Sequence, residues 1–162
     1  MPVAMLLEAA ALMPERGSLL GLDLGTKTIG IAVSDPDRKL AAPVVTIARG
    51  RFASDAERLL KLAEERHVVG FVLGLPLNMD GSEGPRAQAT RAFARNLAKL
   101  TALPIALWDE RLSTAAVERV LIEADASRRK RKAVIDQHAA AYILQGALDR
   151  LTGISRAQPL TE

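Results

Sequence analysis

The stretch LLGLDLGTKTIGIAVSD (residues 19–35) reads as a strand, a tight turn and a second strand. Alternation along the first strand puts Leu20, Leu22 and Leu24 on one face and Gly21, Asp23 and Gly25 on the other. The second strand repeats the division, with Ile29, Ile31 and Val33 opposite Thr28, Gly30, Ala32 and Ser34. One face is made for a core. The other is bare and carries a single carboxylate, so a phosphate backbone can approach it. Gly25, Thr26 and Lys27 suit a short hairpin turn in which Gly25 is expected to take a positive φ. Twist and turn geometry would also place glycines here, leaving Asp23 as a half-exposed acid at one end of a sheet.

Working outward, residues 36–39 make a polar turn, and Ala41 to Ile47 reads as a third strand that completes an antiparallel meander. Ser54 followed by Glu57 has the form of a capping box, opening a helix to about Arg66 with Leu59, Leu60 and Ala63 as its buried stripe. VVGFVL (residues 68–73) is continuously apolar, as expected of a central strand parallel to the first and covered on both faces. The loop GLPLNMDGSEGP (residues 74–85) is longer than the two to six or so residues such a connection needs, and loops at the carboxyl ends of parallel strands bind ligands. Asp80 and Glu83 also fit as turn and helix-start residues. A helix from about Arg86 to Leu100 carries Arg91, Arg95 and Lys99 and no acid. A last short strand, Pro104 to Trp108, runs into Asp109, Glu110 and Arg111.

Ser113 can cap a further helix with Val117, Val120, Leu121 and Ala124 on one face. The run RRKRK (residues 128–132) is expected to form an exposed, mobile loop with a polyanionic partner. A final apolar helix then spans Ala133 to about Leu151, with Asp136 in its first turn, where the helix dipole alone could account for an acid. At the other end, AMLLEAAALM (residues 4–13) is too short to span a bilayer, is interrupted by Glu8 and has no basic leader. Residues 1–17 read as a short docking helix or, in preference, as a poorly ordered extension, with residues 18–152 the folded domain and residues 153–162 a tail.

A length of 162 residues is that of one domain, and 49% hydrophobic with 25% charged residues fits an ordinary soluble globular domain. Aromatic residues make up 3%, so aliphatic side chains must fill the core and stacking platforms for bases are scarce. Without cysteine there is no disulfide and no thiolate metal site, so any metal must be held by oxygen or by the two histidines. The net charge is +3, but the pI of about 9.6 and the clustered cations point to an anionic partner.

The order of three strands, helix, strand, helix, strand, helix, helix is the topology of the RNase H-like fold, a mixed five-stranded sheet with helices on both faces. Three acidic positions could converge at one end of it: Asp23, Asp109 or Glu110, and Asp136. A carboxylate cluster of this kind suits Mg²⁺ or Mn²⁺, and two such ions can activate water and stabilise the leaving oxygen in phosphodiester cleavage. Asp109 and Glu110 point to opposite faces, and both faces of that strand are apolar, so alternation does not decide between them. His138 and Arg111 fit acid, base or phosphate-contact roles or structural ones. The run DLGT (residues 23–26) by itself resembles the first phosphate loop of the actin, Hsp70 and sugar-kinase ATPases, although those close two such domains over a nucleotide. A noncatalytic nucleic-acid-binding module is the other alternative.

Taken together, GLDLGTKTIGIAVSD, GLPLNMDGSEGPRA, WDERLSTAAVE and IDQHAAAYILQ resemble the four signature stretches of the YqgF-type, or RuvX, Holliday junction resolvases, an RNase H-like nuclease family. The resemblance runs from about Leu19 to Leu148. It implies a cytoplasmic bacterial nuclease dependent on Mg²⁺ or Mn²⁺, with Asp23, Glu110 and Asp136 as metal-binding catalytic acids and Asp109 as a neighbour. It further implies a substrate that is either RNA, in maturation of the 5′ end of pre-16S rRNA, or branched DNA, as a four-way junction. Lys27, Arg86, Arg111 and the run Arg128, Arg129, Lys130, Arg131 and Lys132 are the candidate nucleic-acid contacts. A junction resolvase needs two active sites, which predicts a homodimer. The N-terminal extension has no counterpart in the resemblance.

Overall fold

The small-residue face of the first hairpin is covered by a helix. The computed structural model describes residues 3–111 and 128–157, with side chains over 3–111 and 138–153. In chain order the elements are β1 (Val3–Met5), α1 (Leu6–Ala10), β2 (Ser18–Leu24), β3 (Thr28–Ser34), β4 (Ala41–Ala48), α2 (Phe52–Glu65), β5 (Val68–Leu75), α3 (Pro85–Ala98), β6 (Ile105–Asp109) and α4 (Arg128–Ala157). The strands form one sheet in the order β1-β6-β5-β2-β3-β4. β2, β3 and β4 are the antiparallel meander, while β1, β6, β5 and β2 run parallel. The fold is thus RNase H-like in layout, with the apolar run of β5 at its centre as its continuous hydrophobicity requires.

Two cores lie on opposite sides of the sheet. Leu20, Leu22, Ile29, Ile31, Phe71, Leu73, Ile105 and Leu107 pack beneath α2 and α3. Leu19, Ala32, Val72 and Ala106 pack beneath α1 and α4. On the second side α4 comes close at Gly21. A Cβ on Gly21 would stand 2.8 Å from the Cβ of Leu144 and 3.3 Å from the carbonyl oxygen of Ala140, so the face expected to admit phosphate instead admits α4.

Among the described residues the sheet has six strands rather than five. β1, in the stretch expected to be poorly ordered, pairs in parallel with β6. α1 and the turn after it cover the sheet through Leu6, Ala9 and Met13, which are 3%, 0% and 9% exposed. Gly70 makes room for the Met13 thioether, since a Cβ there would lie 2.6 Å from Met13 Cε. At the other end α4 continues to Ala157, into the stretch expected to be a tail.

Three local expectations are corrected. Gly25 is not among the described glycines with positive φ, which are Gly17 and Gly81. It is small because a Cβ would meet the Thr28 carbonyl oxygen at 3.1 Å, across a turn closed by Gly25 N–H donating to that oxygen. α2 begins at Phe52, whose ring packs edge-on against Phe93, and no side chain caps its start. Ser54 Oγ donates to the Arg51 carbonyl, while the buried Asp55 carboxylate accepts from Gly50 N–H at 3.1 and 3.2 Å. Finally, the backbone over residues 128–132 is helical rather than a loop, so α4 starts at Arg128 and its first turn holds no acid. Arginine and lysine are good helix formers, and that outweighs their mutual repulsion in water. The dipole explanation of Asp136 lapses with this shift. The helix expected after Ser113 lies outside the described residues.

Candidate active site

Hydrogen-bond register places the acids. Asp23 pairs with Gly30, which pairs with Thr46, so these three share one face of the sheet. Across β5, Asp23 stands one step beyond the pair Leu22 and Leu73, beside Gly74, which pairs with Trp108. The row is therefore Trp108, Gly74, Asp23, Gly30, Thr46, and the glycines on either side of Asp23 leave room for Glu110 and Ile143 over Gly74 and for Ala140 over Gly30. The Asp23 Cβ is 3.6 Å from where a Gly30 Cβ would be.

Glu110 enters the same space from the end of β6. Its N–H donates to the Leu75 carbonyl at 3.3 Å, and its Oε2 lies 2.7 Å from where a Gly74 Cβ would stand. Glu110 is thereby turned towards Asp23. Its pKa is raised by burial first, then by the Asp23 charge, with Arg86 acting the other way and Asp109 adding to the rise. Asp109 is engaged elsewhere. Arg111 forks onto its carboxylate at 2.6, 3.0 and 3.1 Å, and this guanidinium holds the Asp109 pKa below the usual range. The two acids that alternation left unranked differ in environment, with Glu110 buried against a like charge and Asp109 tied to a cation.

Arg111, expected at the nucleic-acid interface, also donates to the carbonyls of Asn78 and Met79 at 3.2 and 3.1 Å, so it fastens the long loop to the end of β6. Within that loop Asp80 accepts from Ser82 N–H and Oγ, a turn role, and Glu83 pairs with Arg91 at 2.6 Å. Arg86 reaches the Leu24 carbonyl at the end of β2, close enough for its charge to act on Glu110. Lys27 is exposed at the tip of the hairpin. Asp136 belongs to α4, but its side chain and those of residues 128–132 lie outside the described set. Helical spacing of four and seven puts position 136 on the stripe of Ala140 and Ile143, whose side chains meet Gly30 and Gly74. Among the described residues no group of three or more His, Asp or Glu is gathered as a metal site.

Two residues were missed by sequence reasoning. Arg49 donates to the Gly25 carbonyl at 2.7 Å and lies over the Phe93 ring, bracing the hairpin beside Asp23. Gln145 accepts from Ala41 N–H and donates to the Lys39 carbonyl, both at 2.9 Å, tying α4 to the start of β4. No spacing signal distinguishes either from an ordinary surface side chain.

The Glu110 carboxyl gives a stability prediction. A carboxyl whose pKa is higher in the fold than in the unfolded chain opposes folding once ionised, and the cost grows as pH rises from the unfolded value through the raised one. Glu110→Gln should therefore raise the melting temperature at pH 7 in metal-free buffer, with the gain vanishing below about pH 4. Asp109 has the opposite sign, because its lowered pKa contributes stability that is lost as pH falls through the folded value. A lower melting temperature for Glu110→Gln at pH 7 would mean that the carboxylate is a stabilising group.

The profile of the family described as "RuvX: Holliday junction resolvase" matches residues 17–150. The chain belongs to the RuvX family. It is 72% identical over 156 residues to a protein of Rhodopseudomonas palustris strain BisB5, covering 96% of this chain and 98% of the relative. It is also 72% identical over 156 residues to one of Bradyrhizobium sp. strain ORS 278, covering 96% and 97%. Both relatives are named as candidate pre-16S rRNA nucleases. In fold it resembles Thermus thermophilus RuvC, solved with a Holliday junction substrate, at a TM-score of 0.51 and 13% identity over 83% of this chain and 96% of RuvC. No described helix of this RuvX member is long and apolar enough to cross a membrane.

Proposed function

We propose that the chain is a divalent-metal-dependent nuclease that cuts a phosphodiester bond in 5′-end maturation of pre-16S rRNA. The observation that carries this reading is Glu110 lying over Gly74, beside Asp23, with its pKa raised in part by the Asp23 charge. Two like charges gain nothing from facing one another, so the fold maintains an arrangement that suits a cation. The donor set is oxygen only, which fits Mg²⁺ or Mn²⁺. Asp23 and Glu110 would hold the metal, and Asp136 is proposed as the third acid from its place on the α4 stripe. Such ions, when bound, supply a more acidic water and stabilise a departing oxygen.

The rest of the chemistry belongs to the chain. The absent side chain of Gly74 leaves room for the Glu110 carboxylate beside Asp23, and Arg86 offers an incoming phosphate a cation beside Glu110. Lys27 and the run 128–132 add attraction for the backbone without sequence preference. Arg111 acts by holding Asp109 and the loop together. The names of the near-full-length relatives favour ribosomal RNA as the substrate, and a cytoplasmic site of action is proposed with it.

The test is cleavage, with Mg²⁺ or Mn²⁺, of an RNA carrying the 5′ leader of 16S rRNA and of a four-way DNA junction of matched length. The expected result is cutting of the RNA at the leader boundary and slower cutting of the junction. Cutting of the junction alone, by a homodimer, would move the assignment to junction resolution. Salt-sensitive binding with no cutting under either metal would overturn catalysis.

A further inference from the structure

The row that carries Asp23 ends in a cavity that the nuclease chemistry does not use. It has a volume of about 290 Å³, lies between β4 and α4, and is walled by Pro43, Val44, Thr46, His138, Ala140 and Ala141 among others. Its origin is local. The pairing of β3 with β4 slips between Ile31 and Ala32, so that Ile31 faces Val45 and Ala32 faces Pro43, leaving Val44 as an extra residue. Such a bulge bends the strand, and Pro43 has no N–H for the ladder. α4 meanwhile is pinned to the start of the same strand by Gln145. The gap opens where the two alanines of α4 are too short to close it.

Its position relates it to the acids. Thr46 is two strands from Asp23 in the same row, about 10 Å at the usual strand spacing of about 4.8 Å. Ala140 touches both the cavity and the Gly30 position beside Asp23. A nucleotide whose phosphate lies at Asp23 and Glu110 therefore has a neighbouring base within reach of this space. The walls are mostly apolar, and the half-buried His138 ring stands edge-on to Tyr142, with ring centres 6.3 Å apart, as a flat surface in a protein otherwise poor in aromatic residues. Thr46 supplies a hydroxyl at the rim. The volume is at the lower end of ligand pockets, about 300 Å³, and suits one heterocycle rather than a stack.

We propose that this cavity receives one unpaired base of the substrate strand, next to the phosphate to be cut. The proposal rests on the nuclease reading and names what that site recognises. Unstacked bases in single-stranded segments are held in this way, on a side-chain ring with apolar surroundings. It makes Thr46 and His138 specificity residues, and makes a single-stranded nucleotide beside the cleavage point a requirement of the substrate.

The experiment uses the leader RNA with a single abasic nucleotide moved one position at a time across the cleavage point. It is cut by the wild-type chain and by Thr46→Leu, which fills the cavity from the exposed edge strand without entering a core. One abasic position should lower kcat/KM about tenfold, as expected for one lost base contact. Thr46→Leu should cause a similar loss on the intact RNA, and the two losses should not multiply when combined. His138→Ala should behave as Thr46→Leu does, and His138→Phe should restore the loss. Binding of the same RNA with 2-aminopurine at that position, read by fluorescence on the Asp23→Asn chain, reports the base directly and needs no cutting. Normal cutting of every abasic RNA with unchanged activity of Thr46→Leu would overturn the pocket and leave the nuclease reading intact. A base signal that Thr46→Leu abolishes, together with a wild-type chain that never cuts under either metal, would uphold the pocket and overturn the nuclease.

Discussion

Asp23→Asn should lower cleavage by about a thousandfold with either metal, while the variant melts no lower than wild type in metal-free buffer. The loss follows from the place of Asp23. Flanked by Gly30 and Gly74 and facing the carboxyl of Glu110, it has no neighbouring acid in its own strand to replace it. Removal of one group that stabilises a transition state costs about 10²–10³ in rate, and the loss of a metal-ligand charge belongs at the upper end. The retained stability follows from the same geometry. The Asp23 charge is one of the causes that raise the Glu110 pKa, so its removal lets Glu110 ionise more readily at neutral pH. A variant both inactive and undiminished in stability separates a functional acid from a structural one. Cutting within tenfold of wild type would remove Asp23 from the reacting centre. A fall of several degrees in melting temperature would make it a structural residue.

The parts of this protein legible in its sequence are those where one periodicity dominates. The meander shows as strict alternation around a hairpin turn, and β5 as an apolar run too long for a half-buried strand. The acid at the end of β6 was not legible from alternation, because Ala106 and Trp108 on one face and Ile105 and Leu107 on the other are all apolar. The choice of Glu110 came from resemblance, and what supports it physically is the absent side chain of Gly74, a residue distant in sequence. β1 and α1 are too short for a pattern to speak, and their burial depends on Gly70 receiving Met13. The basic run signals a loop through its mutual repulsion, while the helix propensity of arginine and lysine favours the helix that is observed. Gly21 misled in an instructive way. A glycine beside a carboxylate is equally suited to a phosphate and to the backbone of a helix, and only the tertiary structure distinguishes the two.

That helix contact carries the second large effect. Gly21→Ala should destabilise the chain by about 2–3 kcal/mol, near the upper range for an overfilled core, and lower the melting temperature by several degrees. The added methyl would stand 2.8 Å from Leu144 Cβ and 3.3 Å from the Ala140 carbonyl oxygen, and neither is the free end of a flexible side chain. α4 must therefore move as a body. Gln145 holds it at Lys39 and Ala41, so the displacement is greatest away from that anchor, towards the turn that precedes Ala140 and includes position 136. Activity should consequently fall by more than the unfolded fraction explains, measured as kcat at a temperature where Gly21→Ala remains fully folded. Gly153→Ala is the control, because a Cβ at Gly153 meets nothing within 4 Å and alanine is the better helix former. It should leave stability unchanged or slightly raised. If Gly21→Ala melts with the wild type, α4 does not rest on β2 at this distance and the close layer is wrong. If it is destabilised but its folded fraction turns over normally, the docking of α4 is structural only and position 136 does not depend on it.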